Sequence, residues 1–191
     1  KSPTFKSKDF LGELKDILDI KNPISYNGKK ERNELKSLEE IANDYVFTAD
    51  NFLKMWGDAK SKNLSLIVTS AYRDYNYQQQ LWTSYSAQKG SAWADSVAAR
   101  AGYSEHQTGL AADINSLEQS WENTKEGKWL NDNCYKYGFI IRYPKGKENI
   151  TGYMFEPWHI RYVGTKVATD LYNNGNWITL EEYLGIDSKY Q

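Results

Sequence analysis

Apolar and polar positions change period several times along this chain. Residues 1–34 are polar and lysine-rich, with KNPISYNGKKERNE as a turn-rich stretch, so this part reads as an N-terminal arm with little core of its own. ELKSLEEIANDYVF carries Leu38, Ile41 and Tyr45 near helical spacing. TADNFLKMWGDAKSKN predicts a further helix, capped by Thr48 or Asp50, with Phe52, Met55, Trp56 and Ala59 on one face. LSLIVTSAY is rich in β-branched residues and predicts a buried strand. DYNYQQQLWTSYSAQKG returns to the helical period and puts Gln78, Leu81, Trp82 and Tyr85 on one face. SAWADSVAARAGY predicts a second helix ending at Gly102.

GLAADIN, FIIRYP and WHIRYVG predict strands. GKWLNDNCYKYG predicts a helix closed by Gly138, and VATDLYNNG and ITLEEYLG complete the chain. Strands are few and separated by helices. The pattern therefore predicts an α+β domain with helices packed on a small sheet, in residues 46–191, behind an arm or wrapping segment in residues 1–45.

Composition narrows the function. The chain has 191 residues, 40% of them hydrophobic and 15% aromatic, including fifteen tyrosines and seven tryptophans. Tyrosine and tryptophan join apolar area to a polar handle and suit a groove that grips a polar ligand. A net charge of −1, with Lys and Arg spread among Asp and Glu, gives no basic stripe and argues against nucleic acid. The lone cysteine, Cys134, has no internal disulfide partner and reads as a buried small hydrophobe. No apolar run reaches the length of a membrane span. The chain starts KSPTFKS without Met, as a trimmed chain would, and a signal peptide or anchor removed upstream would leave no trace.

Only two histidines occur, and each has a carboxylate at short spacing: His106 lies seven residues before Asp113, and His159 three after Glu156. Catalytic zinc takes three protein ligands from His, Asp and Glu and keeps a position for water. Two His and one carboxylate make that set, leaving a second carboxylate as base. Gly109 lets the backbone turn from loop to strand, and Pro157 biases Glu156 toward extended geometry, at the mouth of a strand rather than on a helix. Spacing leaves open which carboxylate binds metal, and also whether the histidines are structural and the carboxylates coincidental.

TSAYRDYNYQQQ adds Arg73 at a strand-to-helix junction and Gln78 on an apolar helical face. A buried glutamine amide left unpaired costs roughly 1–3 kcal/mol, and an Arg fork takes a carboxylate. The pair suits an anionic, peptide-like ligand. The plainer alternative has Arg73 paired with an internal Asp or Glu and Gln78 bonded to backbone.

Three segments resemble one family. SEHQTGLAAD resembles the SxHxxGxAxD motif of the LAS-type peptidoglycan metallopeptidases of the VanY and D-alanyl-D-alanine carboxypeptidase kind. EPWH resembles that family's ExxH motif, and SAYRDYNYQ its SxYR…Q segment. The resemblance covers roughly Leu64 to Gly164. It implies a small central antiparallel sheet flanked by helices, the fold shared with hedgehog-like proteins. It implies that His106, Asp113 and His159 hold one Zn²⁺, that Glu156 is the general base, and that Arg73 stabilises the substrate carbonyl or carboxylate. Gln78, Ser104, Tyr143 and Trp158 are then expected to line the peptide site.

The chain is most similar to VanY and LdcB/DacB-like enzymes that trim D-Ala from stem peptides at the wall of Gram-positive bacteria. The expected activity is L,D-carboxypeptidase action on tetrapeptides at L-Lys–D-Ala. D,D action on pentapeptides, a cell-wall endopeptidase and a non-enzymatic wall-binding domain are the alternatives.

Overall fold

The computed structural model describes residues 38–186, with side chains from Thr48 onward. The first 37 residues of the expected arm lie outside the described residues. Residues 48–186 fall in one compact unit.

Among the described residues four short strands build the sheet: β1 (Val68–Ser70), β2 (Ala111–Ile114), β3 (Phe139–Tyr143) and β4 (Glu156–Tyr162). Their spatial order is β1-β2-β4-β3, antiparallel throughout. Helices follow in chain order: α1 (Leu38–Ser61), α2 (Tyr75–Lys89), α3 (Ser91–Val97), α4 (Lys125–Asn133), α5 (Glu148–Thr151), α6 (Thr165–Tyr172) and α7 (Leu180–Leu184). The α+β expectation holds.

The two faces of the sheet do different work because side chains alternate along each strand. Ile160 pairs with Ile141 on the core face, and both join Ile114, Leu130, Leu171 and Met55 in one buried cluster. On the other face Asp113 of β2 stands directly opposite His159 of β4. That register carries the site: a slip of one residue between β2 and β4 would put the two side chains on opposite faces. Cys134 is fully buried within the core cluster, as a small hydrophobe should be. Burial pushes its thiol far above the ordinary range, so it is inert as a nucleophile.

Several elements depart from the sequence pattern. LSLIVTSAY yields only a three-residue strand at the sheet edge, with Ile67 and Val68 exposed, rather than a buried strand. Among the described residues no strand lies beyond it, and its pairing with β2 shifts register between Val68 and Ser70. Thr48 and Asp50 lie inside α1 rather than at its start, since the TADN segment holds no Gly or Pro to break it. Within α1, Met55 and Ala59 are buried and Phe52 packs on the core, whereas Trp56 is exposed with the Lys60 ammonium over its ring.

Helix α3 stops at Val97 instead of Gly102, because Ala98 turns extended and hands the next carbonyl, Ala99, to Gln78. The expected helix over 127–138 divides into α4 and a 3₁₀ turn, Cys134–Tyr137, closed by left-handed Gly138. Strand β4 begins at Glu156, two residues earlier than expected, and the short α5 has no counterpart in the pattern.

Candidate active site

Each site residue is delivered by a different local device. His106 lies in a 3₁₀ turn, Glu105–Thr108, that ends at left-handed Gly109 (φ 70°) and leads into β2. Its Nδ1 is 2.6 Å from the carbonyl of Ala71, which assigns the N–H there and leaves Nε2 turned inward, 3.3 Å from Asp113 Oδ2. Cross-strand pairing brings His159 Nδ1 to 3.1 Å from Asp113 Oδ1. Glu156 starts β4, as Pro157 requires, and its Oε2 lies 3.6 Å from the same Nδ1.

His106, Asp113 and His159 are all buried, and one ligand atom from each falls within 4.8 Å of the others. Asp113 Oδ1 has no hydrogen-bond partner despite its burial. A buried carboxylate oxygen left open beside two imidazole nitrogens fits a cation, and an N₂O donor set suits zinc.

Electrostatics separates the members. Burial raises the Glu156 carboxyl, His159 pulls against it and Asp113 pushes with it, and the result is a pKa pushed up to about 7. Burial would also raise Asp113, but the two histidines outweigh it and hold Asp113 well below the usual carboxylate range. His159 is opposed by burial and favoured by Asp113 and Glu105, which lift it to about 9. His106 is lowered by its burial.

These residues sit in a cavity of about 580 Å³ that Gln78, Ser104, Tyr143 and Trp158 also line. All the site residues expected from sequence therefore come together. The plainer alternative for the TSAYRDYNYQQQ segment describes its contacts, and both side chains also line the cavity. Arg73 donates from Nη2 to Asp113 Oδ2 at 2.7 Å and from Nε to Ser70 at 2.9 Å, yet still faces the cavity. Gln78 donates from Nε2 to the Ala99 carbonyl at 2.7 Å, while its fully buried Oε1 has no partner.

The sequence reading missed Glu105, Arg142 and Glu181. Arg142 Nε donates to Glu105 Oε1 at 2.7 Å, and its Nη atoms fork onto Glu181 at 3.0 and 2.6 Å. The available signal was an arginine inside the apolar strand FIIRY, since a charge seldom enters a buried strand without a partner.

Comparison with known proteins agrees with this geometry. The family model described as VanY, D-alanyl-D-alanine carboxypeptidase, matches residues 46–165. A D-alanyl-D-alanine carboxypeptidase of Enterococcus faecium is 41% identical over 180 residues, covering 88% of this chain and 56% of that protein. The solved structure of the LdcB LD-carboxypeptidase is similar with a TM-score of 0.68 and 40% identity, over 86% of this chain and 74% of that one. A variant of the vancomycin-resistance D,D-pentapeptidase VanY, solved with Zn(II), gives a TM-score of 0.62 and 38% identity, over 72% and 81%. The chain spans 55% to 65% of the length of the curated relatives it matches. With its fold, its ligand cluster and more than half its length matched, this chain belongs to the VanY family of D-alanyl-D-alanine carboxypeptidases.

Proposed function

We propose that this chain is a zinc-dependent carboxypeptidase that removes the terminal D-Ala from peptidoglycan stem peptides at the wall of a Gram-positive bacterium. The finer assignment is L,D action on tetrapeptides. The observation that carries the activity is the buried His106–Asp113–His159 cluster with Glu156 against it in one cavity. The zinc-bound VanY relative supports the metal, and the LdcB relative supports L,D action.

His106 through Nε2, Asp113 through Oδ1 and His159 through Nδ1 would hold the ion. When bound, zinc acts as a Lewis acid on the scissile carbonyl and acidifies water at the site. Glu156 takes the proton from the attacking water and returns it to the leaving amine of D-Ala. A carboxyl poised near neutrality can do both at physiological pH. Arg73, held by Asp113 and Ser70, offers its remaining charge to the oxygen that turns negative. Gln78 Oε1, buried and without a partner, accepts an N–H of the peptide. Tyr143 and Trp158 supply apolar wall.

D,D action on pentapeptides is the second reading, favoured by the Enterococcus faecium relative. Mass spectrometry of purified tetrapeptide and pentapeptide muropeptides, with and without chelator, separates the two. Loss of one alanine from the tetrapeptide, abolished by chelator and restored by zinc, is expected. Loss from the pentapeptide alone moves the assignment to D,D, and release from neither refutes carboxypeptidase action.

A further inference from the structure

Beyond the residues that touch water or substrate, one chain of buried charges runs from the C-terminal helix to the metal-ligand cluster. Helix α7 is fixed by a reciprocal cap in which Thr179 and Glu182 satisfy each other's backbone. Its Glu181 takes both Nη atoms of Arg142. The same guanidinium donates its Nε to Glu105 Oε1, and Arg161 Nη1 stands 3.7 Å from that oxygen. The side chains of Arg142 and Glu181 are 10% and 9% exposed, so water contributes little to holding this arrangement.

The other oxygen, Glu105 Oε2, has no hydrogen-bond partner. Neither has His159 Nε2, and the two orphaned atoms face each other at 3.5 Å. An imidazole that binds metal through one nitrogen commonly donates from the other to a carboxylate, which fixes its tautomer and ring angle. Here that partner comes from the residue adjacent to another ligand, His106, so one turn serves both histidines.

We infer that Glu105 is the positioning residue for His159. It receives the Nε2–H and so commits Nδ1 to Asp113 and the ion, while Arg142 and Glu181 hold Glu105 in place. The inference rests on the metal reading of the site. It differs from a purely structural role, in which the network only pins α7 to β3. Loss of Glu105 would then lower the melting temperature but leave both the tautomer and the metal affinity unchanged.

The test joins two measurements on the whole chain. Imidazole ¹⁵N NMR reads the tautomer of His159 in zinc-loaded protein and its Nε2–H signal in metal-free protein, and having only two histidines keeps the spectrum assignable. Competition with a chromophoric chelator reads zinc affinity. Wild type is expected to carry its ring proton on Nε2 with zinc bound, and to show a hydrogen-bonded Nε2–H in the metal-free imidazolium. Glu105→Ala is expected to lose that preference and bind zinc about 10- to 100-fold more weakly. Glu181→Gln shifts both readouts in the same direction by less.

Wild-type affinity and an Nε2–H tautomer in Glu105→Ala would overturn the inference. Should that variant fail to fold, Glu105→Gln decides by the same readouts, because its amide cannot accept from both Arg142 and His159 through oxygens. Wild-type protein that binds no zinc would refute the reading of the site itself, and loss or retention of the hydrogen-bonded Nε2–H signal in metal-free Glu105→Ala would still decide the role of Glu105.

Discussion

Two glutamates flank His159 at nearly equal distance, and their surroundings give them opposite character. Glu105 Oε2 is 3.5 Å from Nε2, and Glu156 Oε2 is 3.6 Å from Nδ1. Burial raises both carboxyls. On the Glu105 side the His159 ring, Arg142 and Arg161 outweigh burial and hold the carboxyl far below its ordinary range. On the Glu156 side the neighbouring carboxylates Asp113 and Glu105 add to burial, and the carboxyl rises to about 7. One side is a fixed anion and the other a proton carrier. Environments that drive two like groups apart mark which one does acid–base work.

The comparison can be broken from several directions. The largest effect comes from removing a ligand of the metal that His159 shares. His106→Ala is expected to abolish zinc binding and D-Ala release together, measured by metal analysis and amino-acid release. Removing only the proton carrier is gentler. Glu156→Gln should lower turnover by about 10²- to 10⁴-fold. Arg73→Ala should cost about 10²- to 10³-fold in kcat, the usual effect of deleting one donor to a developing oxyanion. A loss confined to KM would instead make Arg73 a substrate-carboxylate clamp.

The fixed-anion side should answer in stability. Arg142→Met strands Glu105 and Glu181 without their shared cation, and breaking a buried pair costs about 3–5 kcal/mol. Thermal denaturation of the metal-free protein reads this, and adding Glu181→Gln should recover part of it. The smallest effect is a pH dependence. The folded pKa of Glu156, about 7, exceeds its ordinary 4.5. Its protonation therefore favours the fold below about 4.5, and that contribution is lost as pH rises through about 7. Metal-free wild type should lose stability relative to Glu156→Gln over that window. Asp113 and Glu105, whose carboxyls are held far below the usual range, act in the opposite sense and lose their contribution only at lower pH.

Much of this was legible in the sequence, for identifiable reasons. The ligand set could be read because the chain spends its only histidines beside carboxylates, and Gly109 and Pro157 fix the local backbone around them. The strands β2, β3 and β4 could be read because their apolar residues are truly buried. β1 was misread as buried because β-branched composition does not distinguish a central strand from an edge. The charged network escaped because Arg142 meets Glu105 and Glu181 across 37 and 39 residues, a distance at which no local pattern speaks. The unusual charge in FIIRY pointed to a partner, and only the fold says which one.

The most direct test of the two-glutamate account is zinc content and D-Ala release measured on the same preparation of Glu156→Gln. The account predicts stoichiometric zinc with turnover reduced about 10²- to 10⁴-fold. Zinc lost in step with activity would make Glu156 a ligand rather than the proton carrier, and would contradict the division of labour across His159.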